Sequence, residues 1–500
     1  MKNIKFLQYT VLAALVLGLG SCKKFLEENP TGSLTPSSNV TSSEIARALA
    51  NSAYSNLNTL DEGSGGYGGN TAELMEFMSG KASGNAQTES FRYYNLTYDA
   101  QSFYIDSWWQ GLFYGVSNCN LALQKIPTIP MDTVTKVNML AEVHTLRALY
   151  YFYLVRMYGA VPKITDVASD LSKLRPSRDS IKTIYDEIII PDLLAAEASA
   201  LPWQDNTGRI SMSAVKSLLA DVYLTYAGYP VLAGQQYYAE SAKRSKDVMD
   251  KGGYQLFTEY TDMINPANKN KGEFIWQVQF AAGLNDNDLT AKALPQYHDI
   301  AVYSDEFGGL VPTTQFIQSY PAGDKRTQER QFYYTKWTKN GSTTDTIVLG
   351  GYYIYKWFDA NAVTNTAHAD LNYTIYRLAD VMLMYAEASN RVEGAPNAVA
   401  VDAVNKIRQR AMLTPIATMS QDAFEKEVWT QRYLELAYEG KTWFDMLRTR
   451  KVRNDLTDNF DDFVGHITVW GKTFTANQLL FPIPLREINN NPMLTQNSGF

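Results

Sequence analysis

Between residues 134 and 165 the apolar side chains fall into two rows that advance by alternating steps of four and three residues. This spacing is that of an α-helix, and two adjacent rows mean that protein covers most of its circumference. Gly159 is expected to end the helix and Pro162 to prevent its resumption. The pattern therefore predicts a buried central helix in an all-α core, with His144 as a hydrogen-bonded core residue. The rows are Val137, Ala141, His144, Ala148, Tyr151 and Val155, and Met139, Val143, Leu146, Tyr150, Tyr153 and Met157.

Paired helices are also predicted elsewhere in the chain. Residues 214–227 and 237–250 have helical spacing with small residues inside, and each segment is followed by glycine. Paired helices of about 15 residues each are typical of tetratricopeptide-like repeats. Residues 273–280 and 352–358 are predicted strands, and residues 281–345 are irregular and rich in Gly, Asn, Asp and Tyr. The expected fold is mostly α, a helical-repeat scaffold with irregular loops and small β elements.

The first 40 residues have a different character. Residues 1–21 have two early lysines, an apolar core and small residues, as a secretion signal does. The run LGSC that ends at Cys22 resembles the bacterial lipobox, which predicts cleavage before Cys22 and attachment of lipid to it. The alternative is an ordinary cleaved signal with an incidental cysteine. Residues 22–40 are then a lipidated flexible tether, since their apolar content is too low for independent folding.

Composition narrows the classes of function. The net charge of −7 provides no basic surface and argues against nucleic acid as a partner. Tyrosine is abundant, with 33 residues beside 21 Phe and 9 Trp, and such rings suit both helix packing and carbohydrate or peptide sites.

The common catalytic and metal-binding patterns do not occur in the sequence. The four histidines are far apart, no zinc spacing occurs, and residues 285–288 (NDND) are predicted to be a polar turn rather than a calcium loop. The glycines of residues 61–70 lack the surrounding βαβ unit of a dinucleotide fingerprint. We expect no catalytic residue, cofactor or metal.

Several motifs together resemble the SusD/RagB family. The central helix contains LRALYYF at residues 146–152, and WW at 108–109 is followed by Asn118 and Asn120. Later landmarks are EFIWQVQF at 273–280, VPT at 311–313, D-x-R at 324–326 and YRLADVMLMYAEA at 376–388. The chain ends with R-x-x-E-L-A-x-E-G-x-x-W-F-D-x-x-R at 432–448 and FPIP at 481–484. The motifs occur in family order from Cys22 to Phe500.

The resemblance implies a SusD-like domain over residues 41–500, with a helical-repeat half at about 41–260 and a RagB/SusD half at about 261–500. It also implies a lipoprotein on the outer face of the outer membrane that captures a nutrient, most often a glycan or oligosaccharide. The implied partners are a SusC-like TonB-dependent transporter and, through the anchor on Cys22, membrane lipid.

By the same resemblance, the ligand site is expected in the loops before the Trp108 helix and past the middle of the chain. The candidate ligand-binding residues there are Tyr67, Arg92, Tyr94, Asn95, Tyr98, Tyr297 and Tyr303. For each tyrosine the alternative is packing in the core or in a loop. Trp108 and Trp109 are assigned to the core, so the tryptophans that stack sugars in starch-binding members have no counterpart.

Three other functions fit the same sequence. The alternatives are a structural lid of the transporter without ligand affinity of its own, a peptide-binding family member, and a secreted glycoside hydrolase. The last requires an Asp/Glu pair at a separation that a sequence does not show.

Overall fold

The predicted central helix is present as α5, Thr133–Tyr158. It belongs to a computed structural model that describes residues 41–60, 71–84, 91–167, 175–302, 305–338, 342 and 344–500. The Asp132 carboxylate begins the helix, because it accepts a hydrogen bond of 2.8 Å from the Thr135 N–H. Gly159 ends it with a φ of 77°, a conformation that glycine adopts without strain. The predicted end at Gly159 is confirmed.

His144 lies half-buried on α5 and is hydrogen-bonded, as predicted. Its Nδ1 is 2.6 Å from the Asp192 carboxylate. Arg147, one turn further on, donates from Nε to the other oxygen of Asp192 at 2.7 Å. These contacts tie α5 to the helix that carries Asp192 and account for the polar residues in an otherwise apolar row.

The described residues contain sixteen α-helices. Those before residue 260 are α1 Ser42–Tyr54, α2 Thr71–Met78, α3 Phe91–Tyr94, α4 Phe103–Lys125, α5, α6 Ile181–Ile184, α7 Ile190–Glu197, α8 Met212–Ala227 and α9 Gln235–Lys251. The later ones are α10 Leu289–Ala293, α11 Thr314–Gln318, α12 Leu378–Glu393, α13 Ala398–Arg410, α14 Gln421–Glu435, α15 Thr442–Thr449 and α16 Leu485–Asn490. Thr41 caps α1: its Oγ1 accepts from the Glu44 N–H at 3.3 Å, and its own N–H donates to the Glu44 carboxylate at 2.7 Å.

The longer helices form an array in which each packs against the next. The order of contact is α4, α5, α7, α8, α9, α12, α13 and α14. Such nearest-neighbour packing is the architecture of helical-repeat proteins, so the predicted scaffold is confirmed. Between α9 and α12 the chain leaves the array for residues 252–377, where much of the β structure and the irregular loops lie. Residues 46–500 form one compact unit.

The β structure consists of four antiparallel two-stranded pairs within the described residues. β1 (Ala82–Ser83) pairs with β3 (Val311–Pro312), β2 (Phe274–Val278) with β6 (Tyr373–Arg377), β4 (Tyr333–Thr338) with β5 (Thr346–Ile354), and β7 (Lys451–Asn454) with β8 (Asn459–Asp462). The strand predicted at 273–280 is confirmed as β2.

The strand predicted at 352–358 is placed too late, because β5 ends at Ile354. After it the backbone turns, and the N–H groups of Tyr355 and Lys356 both donate to the Phe332 carbonyl. The turn directs the Lys356 ammonium to the buried carbonyls of Glu435 and Ala437, at 3.2 and 3.0 Å. Burial of a lysine explains why an apolar-looking segment is not extended.

A set of eight charged side chains, which we call the buried ion network, joins the β pairs to the last helices of the array. Arg377 contacts Glu273, Glu435 and Glu439, with nitrogen–oxygen distances of 2.7 to 2.9 Å. Four cations face four carboxylates, so the charges balance, as buried charges require. The members are Glu273, Asp324, Arg326, Lys356, Arg377, Arg410, Glu435 and Glu439, and none is more than 9% exposed.

Candidate functional site

The β1–β3 pair brings together the stems of the two regions in which the sequence placed the ligand site. Ala82 lies opposite Pro312 in this pair. The segment that follows β1 therefore begins next to the place where the segment that precedes β3 ends. Thr313 strengthens the junction, since its N–H donates to the Lys81 carbonyl at 2.9 Å and its hydroxyl to the Gly80 carbonyl at 2.8 Å. The first segment contains residues 91–102 and the second contains residues 289–310.

In the first segment, the aromatic members of the predicted site are buried. Tyr94 is 7% exposed and packs against Phe77 and Trp470, with ring centroids 5.9 and 5.0 Å apart. Tyr98 is 4% exposed and lies between Tyr93 and the C-terminal residues Phe481 and Phe500. Burial raises the pKa of Tyr98 above its usual value. Ligand contact by these two tyrosines stays a prediction, and their contacts favour a packing role.

The polar members of the same segment lie nearer to solvent. Arg92 is exposed and its Nη1 is 3.5 Å from the Asp99 carboxylate. Asn95 is half-buried and donates from its side chain to the Phe91 carbonyl at 3.0 Å. The Phe91 ring is 45% exposed and meets Tyr94 edge to face at 5.3 Å. This exposed ring was missed, because its helical spacing of three from Tyr94 suggests that both rings share one buried face.

In the second segment, Tyr297 has the opposite character. Its side chain is 89% exposed and its φ is 61°, an uncommon conformation for a residue other than glycine. The loop around it is fixed by the Glu306 carboxylate, which accepts hydrogen bonds from four consecutive N–H groups, those of residues 298–301. Phe307 follows, 41% exposed. The result is an aromatic ring presented to solvent on a rigid support.

Three of the predicted residues lie outside the described part of the chain. They are the lipidation residue Cys22 and the ligand-binding candidates Tyr67 and Tyr303. Their predictions stand as made.

Other residues resemble site residues in the sequence but have structural roles. Trp108 and Trp109 are 1% and 4% exposed, which confirms their assignment to the core. The polar turn predicted at residues 285–288 is placed too late: the turn spans residues 282–284, and 285–288 follow it as a polar loop, where Asn287 donates to the Leu371 carbonyl at 3.0 Å and Asp288 pairs with Lys292 at 2.7 Å. Within the described ranges, no group of three or more His, Cys, Asp or Glu side chains is placed to hold a metal ion.

None of the described helices combines the length and the apolar character that crossing a membrane demands. Cys119 is a free, buried thiol on α4, and burial raises its pKa.

Comparison with known proteins identifies the architecture. Residues 326–500 match the family model described as "SusD family", and residues 24–224 match the one described as "Starch-binding associating with outer membrane". A solved SusD superfamily protein from Parabacteroides distasonis is 50% identical, with a TM-score of 0.89 over 92% of this chain and all of that one. The chain belongs to the SusD family.

More distant relatives share the fold. A solved laminarin-binding SusD-like protein is 23% identical, with a TM-score of 0.74 over 91% of this chain and 99% of that one. The starch-binding protein SusD of Bacteroides thetaiotaomicron is 23% identical and aligns with 78% of this chain and 77% of its own length.

Proposed function

We propose that this protein captures a glycan or oligosaccharide at the cell surface and delivers it to a SusC-like TonB-dependent transporter, without catalysing a reaction. The lipid on Cys22 holds it on the outer leaflet of the outer membrane. Family membership supports the class of ligand, because the related proteins named above are described as binding laminarin and starch. Identity near 23% leaves the particular glycan open.

The observation that carries the proposal is the exposed ring of Tyr297 on its fixed loop. A sugar ring has an apolar face, and a flat aromatic side chain covers it with little loss of conformational freedom. Because Glu306 holds four consecutive amides of this loop, the ring is already in place before the ligand arrives. Preorganisation of this kind raises affinity by reducing the entropy lost on binding.

Polar partners for sugar hydroxyl groups belong to the first segment. Arg92, Asn95 and Asp99 supply donors and acceptors at or near the surface, beside the half-exposed ring of Phe91. The β1–β3 pair holds the strand before this segment beside the strand that follows the segment with Tyr297. In our proposal a glycan stacks on Tyr297 and extends toward Phe91 and Arg92.

The transporter and the lipid anchor form a second part of the proposal. Helical arrays present extended surfaces to protein partners, so the array of α4–α14 is the surface assigned to the transporter. Replacement of Cys22 by serine should release the protein from the outer membrane fraction. A Cys22→Ser protein that stays with the membrane, without the transporter present, would contradict the anchor.

The test of ligand capture is calorimetry of the purified protein against a panel of glycans and peptides, with product analysis of each mixture. We expect binding to one glycan, no cleavage, and an affinity at least tenfold lower in Tyr297→Ala. Tyr114→Ala is the matched control, since Tyr114 is also exposed, at 58%, but lies on α4 outside both segments. Binding of peptides alone, release of products, or absence of binding would point respectively to the peptide-binding, hydrolase and lid functions.

A further inference from the structure

A cavity lies away from the Tyr297 loop, between α5, α8, α15 and the C-terminal segment. Its volume is about 220 Å³, and its walls are mainly apolar. Val155, Phe444, Leu447 and Leu480 contribute to these walls. The proposed glycan site includes none of these residues, so the cavity is a separate candidate binding site.

Arg156 is the charged group that reaches this cavity from α5. Its guanidinium lies between two phenyl rings, 3.7 Å from the centroid of Phe152 and 3.8 Å from that of Phe444. This packing fixes the plane of the guanidinium and leaves its edge for hydrogen bonding. The side chain is only 9% exposed.

The hydrogen bonds of Arg156 are incomplete. Nε donates to the Phe152 carbonyl at 3.2 Å. The two terminal nitrogens make no hydrogen bond within the described part of the chain, and the nearest carboxylate, that of Asp221, is 3.9 Å from Nη1. Asp221 already accepts a hydrogen bond of 2.7 Å from the Tyr376 hydroxyl. The terminal nitrogens therefore have donors left for an anion or for water.

A second donor reaches the same space. Tyr185 also lines the cavity, is 2% exposed, and its hydroxyl makes no hydrogen bond to any residue that the structure describes. Burial raises the pKa of this hydroxyl, Arg156 lowers it and Asp221 raises it, so the hydroxyl stays a neutral donor. Arg156 and Tyr185 line the same cavity, and both offer donors to a carboxylate bound there.

The other charged side chains that line the cavity are also cations. Arg448 lines it but is neutralised by Glu387 and Asp445, at 2.7 and 2.8 Å. Arg450 also lines it and donates to the Leu447 carbonyl at 2.7 Å. The lining includes no aspartate or glutamate. The cavity therefore has apolar walls and cationic groups in its lining, and Asp221, outside the lining, is the carboxylate that partly balances Arg156.

We propose that this cavity binds a small organic acid that joins a compact apolar or aromatic body to one carboxylate. The carboxylate accepts hydrogen bonds from Arg156 and Tyr185, and the body packs against Leu447 and Leu480. A neutral sugar suits these walls poorly, since its hydroxyl groups would lack partners. The site is thus distinct from the one proposed for the glycan, and either stands without the other.

The test uses benzoate as the probe and benzamide, its uncharged analogue of the same shape, as the matched ligand. Saturation-transfer NMR and titration calorimetry with the purified protein should show that benzoate binds at least tenfold more tightly than benzamide. Tyr185→Phe removes only a hydroxyl and should lower the benzoate affinity about tenfold, the effect of one hydrogen bond to a charged group.

Two further variants guard against a folding defect. Ala476→Trp places a large ring at an exposed position in the cavity wall and should abolish benzoate binding without disturbing the core. Arg156→Gln should do the same, with circular dichroism and thermal unfolding as controls of its fold. The proposal fails if benzoate and benzamide bind equally, if neither binds, or if Ala476→Trp leaves benzoate binding unchanged.

Discussion

The buried ion network and the Tyr297 loop differ in almost every physical respect. The network contains eight charged side chains, none more than 9% exposed, drawn from six separate parts of the sequence. The loop presents one aromatic ring that is 89% exposed and is fixed by a single carboxylate. The network holds the β pairs against the end of the helical array, whereas removal of the ring would leave the packing as it is.

The same contrast separates the residues that identify the family from those proposed to bind a ligand. Arg377 opens the YRLAD motif, Glu435 and Glu439 belong to the motif of residues 432–448, and Asp324 and Arg326 form the D-x-R landmark. All five are members of the network. The motifs therefore describe how the fold closes, while Tyr297 and Phe91 lie in segments that no motif covers.

The electrostatics of the network explain why its members occur together. Burial alone would raise the pKa of Glu435, but Arg410, Arg377 and Arg326 together lower it to about 2. Each charge is thus stable inside the protein only while its partners are present.

The largest expected effect follows from removal of one central cation. Arg377→Met leaves Glu273, Glu435 and Glu439 with less compensation in the interior, and should lower the free energy of unfolding by about 3–5 kcal/mol. Chemical denaturation measures this change. Lys406→Met is the control, because the Lys406–Asp402 pair is exposed and should contribute less than about 1 kcal/mol. Equal effects of the two substitutions would refute a structural role for the network.

The second-largest effect is expected from acid, which should weaken the buried ion network. The pKa of Glu435 is lowered from 4.5 to about 2 in the folded protein, so its stabilisation is complete above about pH 5 and is lost as the pH falls toward 2. The loss from this group is on the order of 3 kcal/mol. Denaturation between pH 7 and pH 2 should show it, and Glu435→Gln, though less stable at pH 7, should give a flatter profile. Identical acid profiles would contradict the assignment.

Glu306→Ala should have a smaller effect that stays local. It removes the acceptor of four N–H groups near the surface, which water then solvates, so the unfolding free energy should fall by about 1 kcal/mol. Hydrogen exchange of the amides of residues 298–301 should accelerate, and glycan affinity should fall because Tyr297 is no longer held. Asp462→Ala, at a carboxylate that is 80% exposed, is the control. Unchanged exchange would mean that Glu306 does not fix the loop.

The smallest effect on stability is expected from Tyr297→Ala. The ring is 89% exposed, so the free energy of unfolding should change by less than about 0.5 kcal/mol. Tyr98→Ala is the contrasting variant, since that ring is buried and its loss should cost about 3–5 kcal/mol. A loss of that size for Tyr297 would show that the ring is packed.

The sequence predicts the helices far better than the exposure of single rings. The two apolar rows placed α5 correctly, because a helix repeats its pattern over many residues. The sequence left packing and ligand contact both open for Tyr94 and Tyr98, since their partners Phe77, Trp470 and Phe481 come from distant parts of the chain. The ion network was missed for the same reason: Arg377 and Glu273 are 104 residues apart.

The central claim is that the residues that hold this fold are not those that hold its ligand, and one paired measurement on Tyr297→Ala tests it. Glycan affinity by calorimetry and unfolding free energy by denaturation are measured together, beside the unchanged protein and Tyr114→Ala. We predict an affinity at least tenfold lower with stability within about 0.5 kcal/mol, and no change in either for Tyr114→Ala. Unchanged glycan affinity, or a fall that merely follows a loss of stability, would contradict the claim.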